Sequence, residues 1–300
     1  MDKIELILNV FEGFRMNPLS TDQYEVIGKQ ILRDKIGVFV SQNKPILFSI
    51  MGFPMKSTNT VHKVLGTLPD AAEEATLANF TRFNQCIKQV YEPGVIITIA
   101  SDGFAFNDVL GVNESCVDAY QEVSTDMIGD APVTILNLRD FYDRNTPILN
   151  LQAKLNTQFG ITEEELTRRI LFDDDVNTLY RSMLRFMEEE VAWQPFPSKN
   201  QQAKKAKILT REMMLRNEAY SGLVRSQLGD HIRLSMHPSI NNGMKYSFEL
   251  IPTARYSAWH SALLLNTDGS HTTIHRSDAE QAGYELIFKD GRPYNFLATA

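Results

Sequence analysis

Cysteine is scarce in this chain: Cys86 and Cys116 are the only two in 300 residues. Two thiols so far apart supply neither a disulfide framework nor a paired-cysteine metal site, so both are expected to be reduced and partly buried. No apolar run approaches the ~20 residues needed to cross a bilayer. The opening MDKIELILNVFEGF carries Asp2, Glu5 and Glu12 where a signal peptide would be basic. These absences predict a cytoplasmic protein with no membrane partner. A positive surplus is missing too. The formal charge is -7, which argues against a nucleic-acid partner, because such proteins present a basic face or stripe. No G-x-G-x-x-G follows any strand-like run, and no second glycine completes a phosphate-binding P-loop, so neither a dinucleotide nor ATP is indicated. His271 and His275 stand without acidic or cysteine company, and no metal is expected.

What is present is a chain of ordinary globular composition, 43% hydrophobic and 22% charged, long enough to bury a full core. Helical spacing of apolar residues marks Lys3 to Phe14 and a second helix from Thr21 to about Val40. Pro45 to Met51 (PILFSIM), Gly94 to Ala100 (GVIITIA) and Pro132 to Leu138 (PVTILNL) are continuous apolar runs of the kind buried on both sheet faces. Between them, Pro69-Asp70 opens a long amphipathic helix with Asp70, Glu73 and Glu74 at its positive end, and Asn113 to Ile128 reads as another. This βαβαβ order predicts an α/β fold: a Rossmann-like, doubly wound, mostly parallel sheet with helices on both faces. Residues 139–220 turn helical and charged and are expected to form a helical insertion within one domain spanning 1–300. The acidic runs within it, Glu188-Glu190 among them, read as solvated helix faces. Beyond Gly229, short strand-like segments return: Ile232 to Met236, Tyr246 to Ile251, Ser261 to Leu265, Thr272 to His275, Glu285 to Phe288 and Tyr294 to Leu297. Some of them are expected to extend the same sheet.

In open α/β sheets, ligands gather beyond the carboxyl ends of strands, where backbone N–H groups leave the ladder. The first strand empties into Gly52-Phe53-Pro54-Met55-Lys56-Ser57-Thr58-Asn59, which brings a cation, two hydroxyls and an amide into one turn. Lys56 is a candidate to hold a phosphate or act as a base, with a surface ion pair as its alternative. Ser57 and Asn59 can bond an anion or cap the next helix. The second strand empties into Ser101-Asp102-Gly103, where Asp102 is either a turn residue or a carboxylate that orients an ammonium group or moves a proton. A third group, Arg233-Leu234-Ser235-Met236-His237, puts a guanidinium, a hydroxyl and an imidazole on one strand face, with Lys245 following. Trp259-His260-Ser261 adds an aromatic wall beside a second imidazole.

Taken in order, the blocks from Gly52 to Asn59, Lys63-Val64-Leu65-Gly66 with Pro69-Asp70, Ser101-Asp102-Gly103, Arg233 to His237 and Trp259-His260-Ser261 resemble the pyoverdine/dityrosine biosynthesis family. Its bacterial members include isocyanide synthases. The resemblance implies conversion of the α-amine of an aromatic amino acid to an isonitrile, with the new carbon drawn from ribulose 5-phosphate as cosubstrate and no further cofactor. Tyrosine is favoured and tryptophan next. Under this resemblance Lys56, Asp102, His237 and His260 are the catalytic candidates. Arg233, Ser57, Asn59, Ser235 and Lys245 would hold the sugar phosphate, and Phe53, Phe104 and Trp259 would wall the aromatic side chain. A fungal branch that forms a formyl derivative of tyrosine leaves the product open. A downstream iron and 2-oxoglutarate oxygenase is the implied pathway partner. The alternative from another class is a non-catalytic sensor of a phosphorylated sugar or amino acid.

Overall fold

The computed structural model describes residues 2–252 and 254–299. The three apolar runs form β1 (Ile46–Met51), β2 (Val95–Ala100) and β3 (Val133–Leu136), joined side by side in parallel. β4 (Ile232–Ser235) pairs with the other edge of β1, Ser49 opposite Arg233, and β5 (Tyr246–Ser247) pairs with β4. The five-stranded order is β3-β2-β1-β4-β5, all parallel, so the sequence order reverses direction between β1 and β4. A crevice opens at such a reversal, because the connections on its two sides cross opposite faces of the sheet.

Helices α1 (Lys3–Glu12) and α3 (Ala71–Lys88) meet on one side of the sheet, where Phe48 of β1 stacks on Phe11 at 6.0 Å and lies edge-on to Phe83 at 5.5 Å. The neighbours of Phe48 in alternation point the other way, as the period-2 geometry of a strand requires. Ser49 lines a cleft against the long helix α9 (Lys199–Gln227), and Met51 meets its Ser221. Three features differ from the sequence expectation here. The second helix begins as a π-helical turn, Tyr24–Gly28, before α2 (Lys29–Ser41). A helix, α4 (Gly103–Leu110), follows β2 at once, where only a turn was expected. Only two residues of the segment from Tyr246 to Ile251 pair as strand. Helix α5 (Glu114–Ile128) returns the chain to β3.

From residue 139 to 220 the chain is helical as expected: a 3-10 turn at Leu138–Phe141, then α6 (Ile148–Phe159), α7 (Glu163–Phe172), α8 (Asp174–Val191) and most of α9. Arg216 fastens α9 to α4 by donating to Ala105 O at 2.6 Å and to both carboxylate oxygens of Asp108.

Of the later segments, only β4 and β5 extend the parallel sheet. β6 (Ala262–Leu265), β7 (His271–Ile274), β8 (Glu285–Lys289) and β9 (Arg292–Leu297) make a separate mixed sheet in the order β7-β6-β9-β8, with α10 (Arg276–Gln281) beside it. It has its own small core of Leu65, Ala262, Leu264, Ala279 and Phe296. This second sheet grips the loop after β1: Arg276 N donates to Lys63 O, Ser277 N to His62 O, and the Arg292 guanidinium to Pro69 O. The loop from Phe53 to Pro69 is therefore held between two sheets. Among the described residues no helix is long and apolar enough to cross a membrane, and both cysteines are free and half-buried.

Candidate active site

The carboxyl ends of β1 and β2 are locked to each other by backbone geometry that few sequences permit. Phe53 sits in the left-handed region, φ +53°, a conformation costing a non-glycine residue of order 1–3 kcal/mol unless its surroundings enforce it. They do: Ser101 Oγ donates to Phe53 O at 2.8 Å, Gln121 Nε2 donates to that same Oγ, and Asn137 Nδ2 donates to Gln121 Oε1. One polar chain thus ties together the segments that leave β1, β2 and β3. Gly103 is required at the start of α4, since a Cβ there would lie 2.1 Å from Pro54 O. Gly52 is required for a different reason, a Cβ meeting the Trp259 ring at 2.7 Å. Gly52→Ala is expected to weaken folding by about 1–3 kcal/mol, the usual penalty for overpacking against a rigid group. Urea unfolding measures it, and the Trp259 fluorescence should shift with the displaced ring.

Lys56 does not reach solvent. Its side chain is 0% exposed and its ammonium group lies 2.9 Å from Asp70 Oδ2, 2.8 Å from Glu73 Oε2 and 2.9 Å from Ala258 O, to which it donates. Asp70 and Glu73 are also the capping box of α3, and Tyr120 donates to Glu73 Oε1. Burial works against the charge on Lys56, but the two carboxylates more than offset it and raise its pKa. The expectation that Lys56 faces a substrate is corrected by this closed triad: the residue joins the loop after β1 to the start of α3 and to the turn before β6.

Its neighbours do converge. Ser57 Oγ donates to Glu190 Oε2 at 2.6 Å, Lys63 Nζ lies 2.9 Å from Glu190 Oε1, and Asn59 Nδ2 donates to Glu189 O at 3.0 Å. Glu190 therefore is no solvated helix face. It is buried at the end of α8 and accepts bonds from two residues of the β1 loop. Burial opposes its ionisation, but His260, Lys63 and Ser57 together hold its pKa below the ordinary carboxylate value. His260 lies on the 3-10 turn Ala258–His260, edge-on to Phe186 of α8 at 4.8 Å. Its Nδ1 is covered and without a hydrogen-bond partner among the described residues, 3.7 Å from Glu190 Oε1. Burial pushes the His260 pKa down to about 4, with Glu190 opposing and Lys63, His237 and Lys56 assisting. A neutral imidazole at pH 7 follows, which leaves one ring nitrogen free to accept a proton.

Arg233 and Lys245 form the second cluster. A cleft of ≈ 530 Å³ runs beside β1 and β4 beneath α9, and Lys35, Arg225, Arg233 and Lys245 all line it, with Glu218 as its single carboxylate. Glu218 faces Arg169 at 3.6 Å, and none of the four cations has an ion-pair partner among the described residues. Among the described residues Arg233 donates to Ser221 Oγ and Met51 Sδ alone. Burial and then Arg225 depress the Arg233 pKa, while crowding and then Arg233 depress that of Lys245. His237, just past β4, is open to solvent in a recess of the surface. The recess first, then Lys245, lowers its pKa. When protonated, His237 disfavours a second charge on His260. Ser235 Oγ donates to His237 O and accepts from His237 N, which fixes this loop rather than facing the cleft.

Asp102 occupies the N-cap of α4 without capping it; its Oδ1 is covered and has no hydrogen-bond partner among the described residues. Burial raises its pKa to about 7. Tyr220 of α9 feels its charge, donates to the adjacent Ser101 O at 2.7 Å, and precedes the Ser221 that meets Arg233. Phe53 and Trp259 pack on each other at 5.5 Å, and Phe104 is fully buried under the Arg139 guanidinium at 4.1 Å. All three rings are buried in the main core, and none of them lines the cleft beside β1 and β4, whereas the sequence expectation had them wall a substrate. Sequence reasoning missed Glu190, Lys63, Lys35 and Arg225. For Lys63 the signal existed, since it stands in one of the blocks that carry the resemblance.

Residues 36–287 match the family model described as pyoverdine/dityrosine biosynthesis protein. The chain belongs to this family. The resemblance read from its motifs therefore holds across most of its length. Among curated members, the isocyanide synthase xanB of Aspergillus fumigatus is 28% identical over 86% of this chain, which spans 37% of that longer protein. The L-tryptophan isonitrile synthase AmbI2 of Fischerella ambigua is 31% identical, with 89% of this chain and 82% of that protein covered. An L-tyrosine isonitrile synthase of Pseudomonas aeruginosa is 28% identical, covering 91% and 85%. The crystal structure of the PvcA protein from Pseudomonas aeruginosa superposes with a TM-score of 0.93 at 26% identity, over 99% of this chain and 100% of that one. The pyoverdine/dityrosine fold is thus the α/β architecture described above, second sheet included.

Proposed function

We propose that this family member is an isonitrile synthase that converts the α-amine of an aromatic L-amino acid, tyrosine before tryptophan, using ribulose 5-phosphate as the sole cosubstrate. The observation that carries the reading is the unpaired cation cluster at the β1–β4 reversal, in a protein whose overall charge is negative. Like charges held together without counter-ions repel one another, and a phosphate dianion relieves that repulsion on binding. Arg233 offers its planar fork to the phosphate, and Lys245, Lys35 and Arg225 add charge around it. The names of the relatives supply the reaction class.

In this reading the first step is condensation. The substrate ammonium loses a proton to a base, its nitrogen bonds to the ketone carbon, and the ketone oxygen takes up a proton to become a hydroxyl. Asp102, with a pKa about 7, is matched to receiving that first proton near neutrality. Neutral His260 and His237 serve the later transfers that end in expulsion of phosphate. Ser57, Asn59 and Lys56 act from behind by fixing the loop that carries them. The test is incubation of the purified protein with tyrosine or tryptophan plus ribulose 5-phosphate, reading the isonitrile infrared band and free phosphate. Absence of both signals with both amino acids defeats the reading. Arg233→Gln is expected to raise KM for the sugar phosphate about 10–100-fold, the equivalent of one charge-assisted hydrogen-bonding group at 1.5–3 kcal/mol. The KM for the amino acid should stay unchanged, which steady-state kinetics varying each substrate would show.

A further inference from the structure

We infer that Glu190, borne by α8 outside the parallel sheet, is the positioning residue for His260: it holds the imidazole as the Nδ1–H tautomer and so makes Nε2 the atom that exchanges protons with substrate. The kinetic part of this inference rests on the isonitrile synthase reading. The structural part does not.

Three observations support it. The Glu190 carboxylate is 5% exposed and already anchored from two sides, by Ser57 on Oε2 and Lys63 on Oε1. An ionised carboxylate accepts bonds only, and each oxygen has more than one lone pair, so Oε1 retains capacity for one further donor. His260 Nδ1 is the covered polar atom beside it that lacks a partner, and the gap is 3.7 Å. A buried unpaired N–H is disfavoured, while a lone pair facing a carboxylate at that distance is worse, since both are electron-rich. The low-energy arrangement has the proton on Nδ1, aimed at Oε1. The long contact is the kind that shortens when substrate closes a site, as catalytic hydrogen bonds in unliganded enzymes often do.

The rest of the ring is placed to use this. One edge of His260 rests on Phe186 of the same helix, and Phe186 also lies under the Lys63 ammonium at 5.0 Å. The side chain keeps 25% exposure, so part of the ring remains reachable. When Nε2 takes a proton from substrate, the imidazolium charge faces the Glu190 carboxylate. When Nε2 returns the proton to the departing phosphate, the neutral tautomer is restored with Nδ1–H in place. The proton enters and leaves by one atom, and Glu190 is never protonated.

The test has two arms. Nitrogen-15 NMR of the imidazoles, with His260 assigned by comparison with His260→Gln, reads the tautomer with no substrate present. A protonated Nδ1 and bare Nε2 are expected, and the opposite tautomer overturns the proposal. The second arm is a double-mutant cycle. Glu190→Gln, which keeps size and an acceptor for the β1 loop, should lower kcat about 10²-fold, the low end of what a positioned base contributes, with both KM values preserved. In a His260→Gln background the same substitution should have no further effect, because a residue acting through another has nothing left to act on. Equal losses in the two backgrounds would assign Glu190 a merely structural role and refute the proposal. Should the wild type show no turnover, the function fails and the NMR arm still decides the tautomer.

Discussion

Lys56→Met is expected to strip the protein of about 3–5 kcal/mol, the loss seen when one partner of a buried ion pair is removed and the other is left charged. Two carboxylates, Asp70 and Glu73, both fully enclosed, would remain with no cation between them. For a domain of this size the melting temperature should fall by on the order of 10 °C. Adding Asp70→Asn and Glu73→Gln to Lys56→Met should restore much of the loss, since asparagine still caps a helix and no buried charge persists. Calorimetry of the single and triple variants checks both statements. A Lys56→Met protein with unchanged melting and abolished turnover would return Lys56 to the chemistry and contradict the closed triad.

Asp102→Asn is expected to move stability and activity in opposite directions. The folded pKa of Asp102, about 7, lies above its ordinary 3.8. Between pH ~4 and ~7 the folded state then holds more protons than the unfolded one, so this group's contribution to stability declines as pH rises and its penalty is complete above 7. Asparagine carries no such penalty. The variant should match the wild type near pH 4 and exceed it at pH 8 by roughly 2–4 kcal/mol, given 1.36 kcal/mol per unit and some residual solvent access. Turnover should drop by about 10²–10⁴-fold, the usual contribution of a general base. Urea unfolding at pH 5 and pH 8, paired with the isonitrile assay, measures both. A stability difference independent of pH would mean that the carboxylate is already matched by its surroundings.

Strands buried on both faces announce themselves, and for that reason Ile46–Met51, Val95–Ala100 and Val133–Leu136 were legible as uninterrupted apolar runs. The start of α3 was legible too, from Pro69-Asp70 and the acidic first turn, and the structure shows Asp70 and Glu73 there as a capping box. What periodicity cannot supply is the identity of a strand's partner. The segments from Ala262 onward read as strands, yet nothing in their pattern said that they pair among themselves. Burial of charge is equally silent. Lys56 follows a strand end in the manner of a ligand-binding residue, and only the fold shows that Asp70 and Glu73 already hold it. Glu188-Glu190 reads as one charged stretch, although Glu190 lies buried under two donors while Glu189 keeps 60% of its side chain in solvent. Arg233, Lys245, His237, His260 and Asp102 were each legible from their position after a strand or beside an aromatic residue. What the pattern could not show is the link made by α9, whose Tyr220 donates to Ser101 O next to Asp102 while Ser221 accepts from Arg233.

The fastening of the β1 loop to α8 carries a lesson about assembly. The parallel sheet can form its ladder from its own strands, but the floor beneath His260 arrives from a helix more than a hundred residues downstream. Because α8 lies between β3 and β4 along the chain, the sheet can be complete in its hydrogen bonds while the loop after β1 still lacks its anchor, and only the docking of α8 supplies it.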